Sequence, residues 1–131
     1  MSILLGLHIM RTLAADADVK GFVKGRIYPL AMAQGVDAFP FICYDMNGQD
    51  GTKTKDGPLN DNASVSLAVI AKKYEEALIL ADLVRKAFEG KKTKYEEFEA
   101  ENVGVNYNDE YVDALDAYAV NMSLDFKTIN L

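Results

Sequence analysis

The single histidine and the single cysteine carry the most reactive side chains of this chain. A Ser-His-Asp or Cys-His site needs the histidine against a nucleophile, and the position of His8 in an apolar helical stretch does not predict such a contact. Cys43 lies in the apolar run FPFICY, where a buried, inert thiol is typical. A zinc site needs about four ligands, usually Cys or His. The sequence therefore predicts no catalytic residue and no metal site.

Two short motifs resemble ligand-binding loops at first sight. The stretch DMNGQDGTKTKD has oxygen-bearing residues at the first, third and fifth positions of a calcium loop. Its sixth position is Asp50 instead of glycine, and its twelfth is Asp56 instead of glutamate. The stretch GKKT (90–93) lacks the upstream glycine of a P-loop and follows a predicted helix, not a strand. Neither motif predicts a bound ion or nucleotide, and no cofactor site is expected.

Acidic residues are concentrated in one part of the chain. The net charge is −6, yet the residues outside 95–116 carry a net charge of +2. This segment could be a solvated acidic face, or it could suit a self-associating protein whose unlike faces meet. It argues against a surface that grips nucleic-acid phosphates. The segment has no lysine or arginine and contains eight acidic residues: Glu96, Glu97, Glu99, Glu101, Asp109, Glu110, Asp113 and Asp116.

The length of the chain predicts the number of domains, and the N-terminal segment predicts a helix. A single domain over residues 1–131 is expected, because chains of this length usually form one core. The apolar run near the N-terminus is far shorter than a membrane span, and no positive residue precedes it, as a signal peptide would require. We therefore expect a helix in a cytoplasmic protein, with Ile3, Leu7, Met10 and Leu13 on its apolar face.

The periodicity of the apolar residues predicts an α+β fold. Two helices are predicted, over residues 2–15 and 72–89, and a short extended piece over 26–29. Strands are predicted over 39–46, 61–71, 96–107 and 117–129, with a bulge near Glu101 or Asn102 where the alternation slips. The expected architecture is a mostly antiparallel sheet of about four strands with two helices packed on one face. A more curved, barrel-like sheet is the alternative.

Several short motifs resemble a known family across nearly the whole chain. They are GRIYP, AQG (Ala33, Gln34 and Gly35), FPFICY, a polar loop, and the strand SVSLAVIA. Together they resemble the tail-completion proteins of long-tailed bacteriophages and prophages, which include tail-terminator and tail-to-head joining proteins. The segment LAMAQGVDAF is more apolar here than is usual in that family.

The resemblance implies a non-enzymatic part of the virion. Such proteins assemble in the host cytoplasm as a ring, typically of six subunits, that caps the tail tube and joins it to the head. The implied partners are further copies of the chain, the tail-tube protein and head-connector proteins, without sequence-specific nucleic-acid binding and without a membrane. Another neck or tail-tube protein is the alternative, and a small-ligand-binding α+β domain is a more distant one.

Two sets of site residues follow from the resemblance. The alternating Glu97, Glu99 and Glu101 would line a channel that repels DNA phosphate, or else face water. The long polar loop 47–60 would contact a neighbouring subunit or the tube, or else be a flexible solvated loop with no partner. The apolar bridge 30–39 would pack against the next subunit, or else inside its own. The predicted contact residues are Asp50, Lys53, Lys55, Asp56, Leu30, Met32 and Val36.

Overall fold

The computed structural model describes residues 4–29, 38–47 and 60–130, and within these ranges the backbone forms three α-helices and six β-strands. A 3-10 turn, Asp113–Leu115, connects the last two strands. In chain order the elements are α1 (Leu5–Ala15), α2 (Ala17–Val23), β1 (Ile27–Pro29), β2 (Phe41–Asn47), β3 (Asn60–Ala71), α3 (Tyr74–Phe88), β4 (Lys92–Lys94), β5 (Phe98–Val112) and β6 (Ala117–Asn130).

The strands form one mixed sheet that curves into a half-barrel. Its order is β1-β2-β3-β6-β5-β4, with β1 parallel to β2 and the other neighbours antiparallel. The α+β class is correct, but the predicted four-stranded, mostly antiparallel sheet with two helices is wrong. β1 and β4 have three residues each, too few to show an alternating pattern. The extra helix, α2, begins where the Asp16 side chain accepts hydrogen bonds from the N–H groups of Asp18 and Val19.

The helices cover one face of the sheet and form the main core with it. Along β3 and β6 the apolar side chains alternate toward the helices, as predicted from the period of two. In α1 the buried stripe is Leu5, Ile9 and Leu13, so the predicted apolar face is wrong for Leu7 and Met10, which are exposed. The helix itself carries apolar residues on several sides, so their periodicity alone did not identify the side that is buried. No helix in the described residues is long and apolar enough to cross a membrane.

A smaller apolar cluster lies on the other face of the sheet, which we call the open face. Phe41, Ile70, Ala117 and Ala119 form its buried centre. Lys72 closes one side, because its Nζ donates to the carbonyl oxygens of two residues in the β5–β6 connection, at 2.7 and 3.0 Å. This end of the open face is therefore packed, and the rest of that face carries polar side chains.

The predicted slip in β5 is confirmed as a bulge. The pairing with β6 shifts between Asn102 and Gly104, so Val103 is the extra residue and is 60% exposed. Asn102 is buried, and its side chain forms hydrogen bonds with three backbone groups around the bulge. Its Oδ1 accepts from the Gly90 N–H at 3.2 Å, and its Nδ2 donates to the carbonyl oxygens of Gly104 and Asp125, each at 3.1 Å. The bulge thus joins β5 to the residues that follow α3.

Replacing Gly90 with alanine should lower the free energy of unfolding by about 1 kcal/mol, because Gly90 adopts φ +69°, which a Cβ disfavours. Gly21→Ala is the matched control, since Gly21 lies within α2 and an added Cβ meets no atom within 4 Å. That variant should gain up to about 1 kcal/mol from helix propensity. Urea unfolding measures the stability of both variants. Equal effects of the two substitutions would show that the positive φ of Gly90 does not require glycine.

Candidate interaction surfaces

His8 is a packed core histidine and not part of a catalytic site with Cys43 or a serine. It is 3% exposed, and the rings of Phe88, Tyr95 and Phe126 surround it at centroid distances of 5.6 to 5.7 Å. Its Nδ1 and the Tyr95 hydroxyl share a hydrogen bond of 2.7 Å. Burial lowers the pKa of His8 to about 4. The ring is therefore neutral at pH 7, and its contacts hold α1 against the sheet.

Cys43 lies half-buried on the open face, beside the smaller apolar cluster. Burial raises the pKa of its thiol, which disfavours the nucleophilic thiolate. No three His, Cys, Asp or Glu side chains come close enough to hold a metal ion within the part of the chain that the structure describes.

A shallow groove of about 480 Å³ lies on the open face. Its polar side chains are mainly neutral amides and hydroxyls, and Asn121 Nδ2 donates to Asn108 Oδ1 at 3.2 Å across β6 and β5. Such groups offer donors and acceptors to another surface. The lining residues come from β2, β3, β5 and β6: Cys43, Tyr44, Asp45, Ser66, Leu67, Ala68, Asn106, Tyr107, Asn108, Asn121, Met122 and Ser123.

Two of the three glutamates predicted to line a channel have lysines of β4 or β6 as neighbours. Lys92 Nζ lies 3.2 Å from Glu99 Oε1, and the backbone of Glu101 is in register with Lys92 on one side and Lys127 on the other. Glu97 is exposed and precedes β5. The first part of the acidic segment therefore has lysines on both neighbouring strands. The sequence did not show this, because the lysines come from β4 and β6.

The other half of β5 forms an edge of the sheet. β4 pairs with Glu99–Glu101 only, and within the described residues no strand pairs with the outer edge of β5 beyond the bulge. Beside this edge, aromatic and apolar side chains are exposed on the helix side, with Tyr107 65% exposed. We call this surface the distal patch, and it consists of Tyr74 and Leu78 from α3 with Tyr107 and Tyr111 from β5.

Ring contacts and carboxylates order the distal patch. The rings of Tyr74 and Tyr111 both pack against Tyr118, at centroid distances of 5.4 and 5.3 Å. The Tyr74 hydroxyl donates to Asp109, and the Tyr111 hydroxyl donates to Asp116. The hydrogen bond to Asp116 raises the pKa of Tyr111 to about 12. The patch is therefore an apolar surface with an acidic border.

The motif GRIYP lies at the edge of the sheet formed by β1, and its arginine has a structural role. Arg26 Nε donates to the carbonyl oxygen of Pro40 at 2.9 Å, and its Nη2 donates to that of Phe39 at 3.2 Å. These bonds tie GRIYP to FPFICY, where β1 lies parallel to β2. The predicted contact residues themselves lie outside the described residues: Asp50, Lys53, Lys55, Asp56, Leu30, Met32 and Val36.

Two solved structures share this fold over nearly its full length. A chain from the virion of a native gene transfer agent particle is similar over 94% of this protein and 92% of its own length, with a TM-score of 0.68 and 18% sequence identity. The gp17 protein of bacteriophage SPP1 is similar over 98% of this protein and 89% of its own length, with a TM-score of 0.55 and 15% identity. Identities this low show a shared fold.

Comparison with models of known families and with curated proteins finds no match to this sequence. The likeness to known proteins therefore rests on the arrangement of helices and strands. The described surfaces offer contacts between proteins: an open face with a polar groove, and a free strand edge beside exposed aromatic rings.

Proposed function

We propose that this protein is a non-enzymatic structural component of a phage or prophage virion, in which a ring of its copies caps the tail tube and joins it to the head. The observation that carries the proposal is the fold shared with a chain of the gene transfer agent virion over 94% of this protein. The fold shared with the gp17 protein of bacteriophage SPP1 supports it. The motifs GRIYP and FPFICY add the resemblance to tail-completion proteins.

The chemistry of the described residues agrees with a role in assembly. His8 is neutral, buried and used for packing, and burial disfavours the thiolate of Cys43. Assembly takes place in the host cytoplasm, and the mature protein lies in the tail or neck of the virion. Its partners are further copies of the chain, six in a ring, together with the tail-tube protein and head-connector proteins.

Two sets of residues have proposed roles in the ring. Glu97, Glu99 and Glu101 face the channel, where carboxylates repel DNA phosphates; the adjacent Lys92 reduces this repulsion at Glu99. The second set contacts a neighbouring subunit or the tube, through polar residues of the loop 47–60 and apolar residues of the bridge 30–39. Its members are Asp50, Lys53, Lys55, Asp56, Leu30, Met32 and Val36.

Deleting the coding sequence from its phage or prophage should leave heads and tails unjoined, with tails of irregular length, because an uncapped tube continues to grow. Electron microscopy of lysates measures both, and a plasmid carrying the intact sequence should restore joined particles. Joined particles with tails of normal length after the deletion would contradict the proposal. Loss of tubes altogether would instead indicate a tail-tube protein.

Microscopy of isolated rings tests the two sets of residues. The ring should have a central hole with Glu97, Glu99 and Glu101 on its inner wall, and the contact residues at subunit or tube interfaces. Carboxylates on the outer rim would contradict the channel role, while the joining role could still hold.

A further inference from the structure

We propose that the distal patch of one copy binds the exposed face of α1 on the next copy, so that neighbouring subunits associate head to tail. This inference rests on the proposed ring and names the surfaces that would build it. The α1 face consists of Leu7, Met10 and Arg11, all of which are exposed.

The distribution of exposed apolar side chains supports this pairing. The large exposed hydrophobic residues of the described ranges lie either on α1 or on α3 and β5. The first group lies near the end of α3, where His8 of α1 contacts Phe88. The distal patch includes Tyr74, the first residue of α3, and 15 residues of helix span about 22 Å. Each copy thus carries two separate apolar surfaces, one on α1 and one along α3 and β5.

A cavity beside the distal patch offers room for an apolar side chain. It measures about 180 Å³ and lies between α3 and the strands, with Leu78 and Tyr107 among its lining residues. Met10 is 44% exposed and has the unbranched, flexible side chain that fits irregular hollows. Next to it, Arg11 brings a positive charge toward the acidic border of the patch.

Charge disfavours the symmetric alternative, in which two β5 edges pair with each other. From the bulge to the start of β6 the chain carries four acidic residues and no basic one, so two such edges would place like charges together. These residues are Asp109, Glu110, Asp113 and Asp116. Residues 4–25, which include α1 and α2, carry a net charge of +1, with Arg11, Lys20 and Lys24 exposed. Unlike surfaces therefore meet, and repeated contacts between unlike surfaces close into a ring when the rotation permits.

Cysteine cross-linking tests the pairing directly. In a Cys43→Ser background, one sample carries Met10→Cys and a second carries Tyr107→Cys, and a short bismaleimide is added to each sample and to their mixture. We expect cross-linked dimer in the mixture at least about tenfold above either single sample. Asn106→Cys is the matched control for Tyr107→Cys, because neighbouring residues of a strand point to opposite faces of the sheet and Tyr107 is in register with Met122 of the main core. A chain carrying both Met10→Cys and Tyr107→Cys should give a ladder of cross-linked oligomers.

Two results would overturn the pairing. Dimer formed as efficiently by Tyr107→Cys alone would show that the β5 edges associate symmetrically. Equal yields with Asn106→Cys and Tyr107→Cys, or no cross-linked dimer in the mixture, would show that the distal patch does not bind the α1 face. Circular dichroism establishes that each variant is folded. The deletion experiment separates this outcome from the proposed function, since unjoined heads and tails without these cross-links would mean that the subunits meet through other surfaces.

Discussion

Replacing Asn102 with alanine should lower the free energy of unfolding by about 3 kcal/mol. The side chain is 4% exposed and satisfies one backbone N–H and two backbone carbonyl oxygens around the bulge. Alanine fills neither role, and each buried polar group left without a partner costs about 1–3 kcal/mol. Because the bulge holds the residues after α3 against β6, the loss should affect global unfolding. Urea titration followed by circular dichroism measures it.

Asn106→Ala is the matched control for this prediction. Asn106 lies on the same strand with its side chain exposed, so its replacement should change stability by no more than about 0.5 kcal/mol. Asn102→Asp preserves the shape but replaces the donor group by an acceptor that faces two carbonyl oxygens, so it should destabilise the protein at least as much as alanine. Similar small effects for all three variants would show that the Asn102 hydrogen bonds contribute little.

Acidification from pH 7 to pH 5 should lower the free energy of unfolding by about 2 kcal/mol through His8 alone. Burial lowers the pKa of His8 from its ordinary 6.5 to about 4 in the folded protein. The unfolded chain therefore binds a proton at a higher pH than the folded one. The stability from His8 is fully present above pH 6.5 and is lost as the pH falls toward 4. Thermal or urea unfolding at several pH values measures the slope.

His8→Gln is the control for the pH dependence. It removes the titrating ring, retains an acceptor for the Tyr95 hydroxyl, and leaves all 20 carboxyl groups in place. The difference in slope between the two proteins therefore isolates His8. Because the chain has one histidine, NMR titration of its ring gives the pKa without ambiguity. A value near 6.5, or equal slopes for both proteins, would contradict the effect of burial.

The long strands and α3 could be predicted because each has one buried and one exposed side. β3 and β6 show a strict period of two, and the slip in β5 marks its bulge. β1 lies within the extended piece predicted over 26–29, but its pairing with β2 could not be predicted, because that pairing depends on a distant strand. β4 could not be predicted at all, since its three residues show no period. α2 has a readable signal, the capping Asp16 before Ala17, which the glycines that follow obscured.

The surfaces were less predictable than the fold. The acidic segment is visible in the sequence, but the lysines beside Glu99 and Glu101 come from strands that only folding brings together. The exposure of Tyr74, Leu78 and Tyr107 also depends on the path of α3, which packs on β3 and β6 and leaves the far half of β5 uncovered. Aromatic residues at regular spacing usually indicate a core, and here some of them form a surface.

The hydrogen bonds of Arg26 affect how much the length of the connection between β1 and β2 can vary. Arg26 fixes Phe39 and Pro40, while Pro29 pairs with Tyr44, so both ends of the segment between them are held by contacts outside that segment. Doubling the length of a connection between fixed ends costs only about 0.6 kcal/mol in chain entropy. The pairing of β1 with β2 should therefore persist when the number of residues between Pro29 and Phe39 changes.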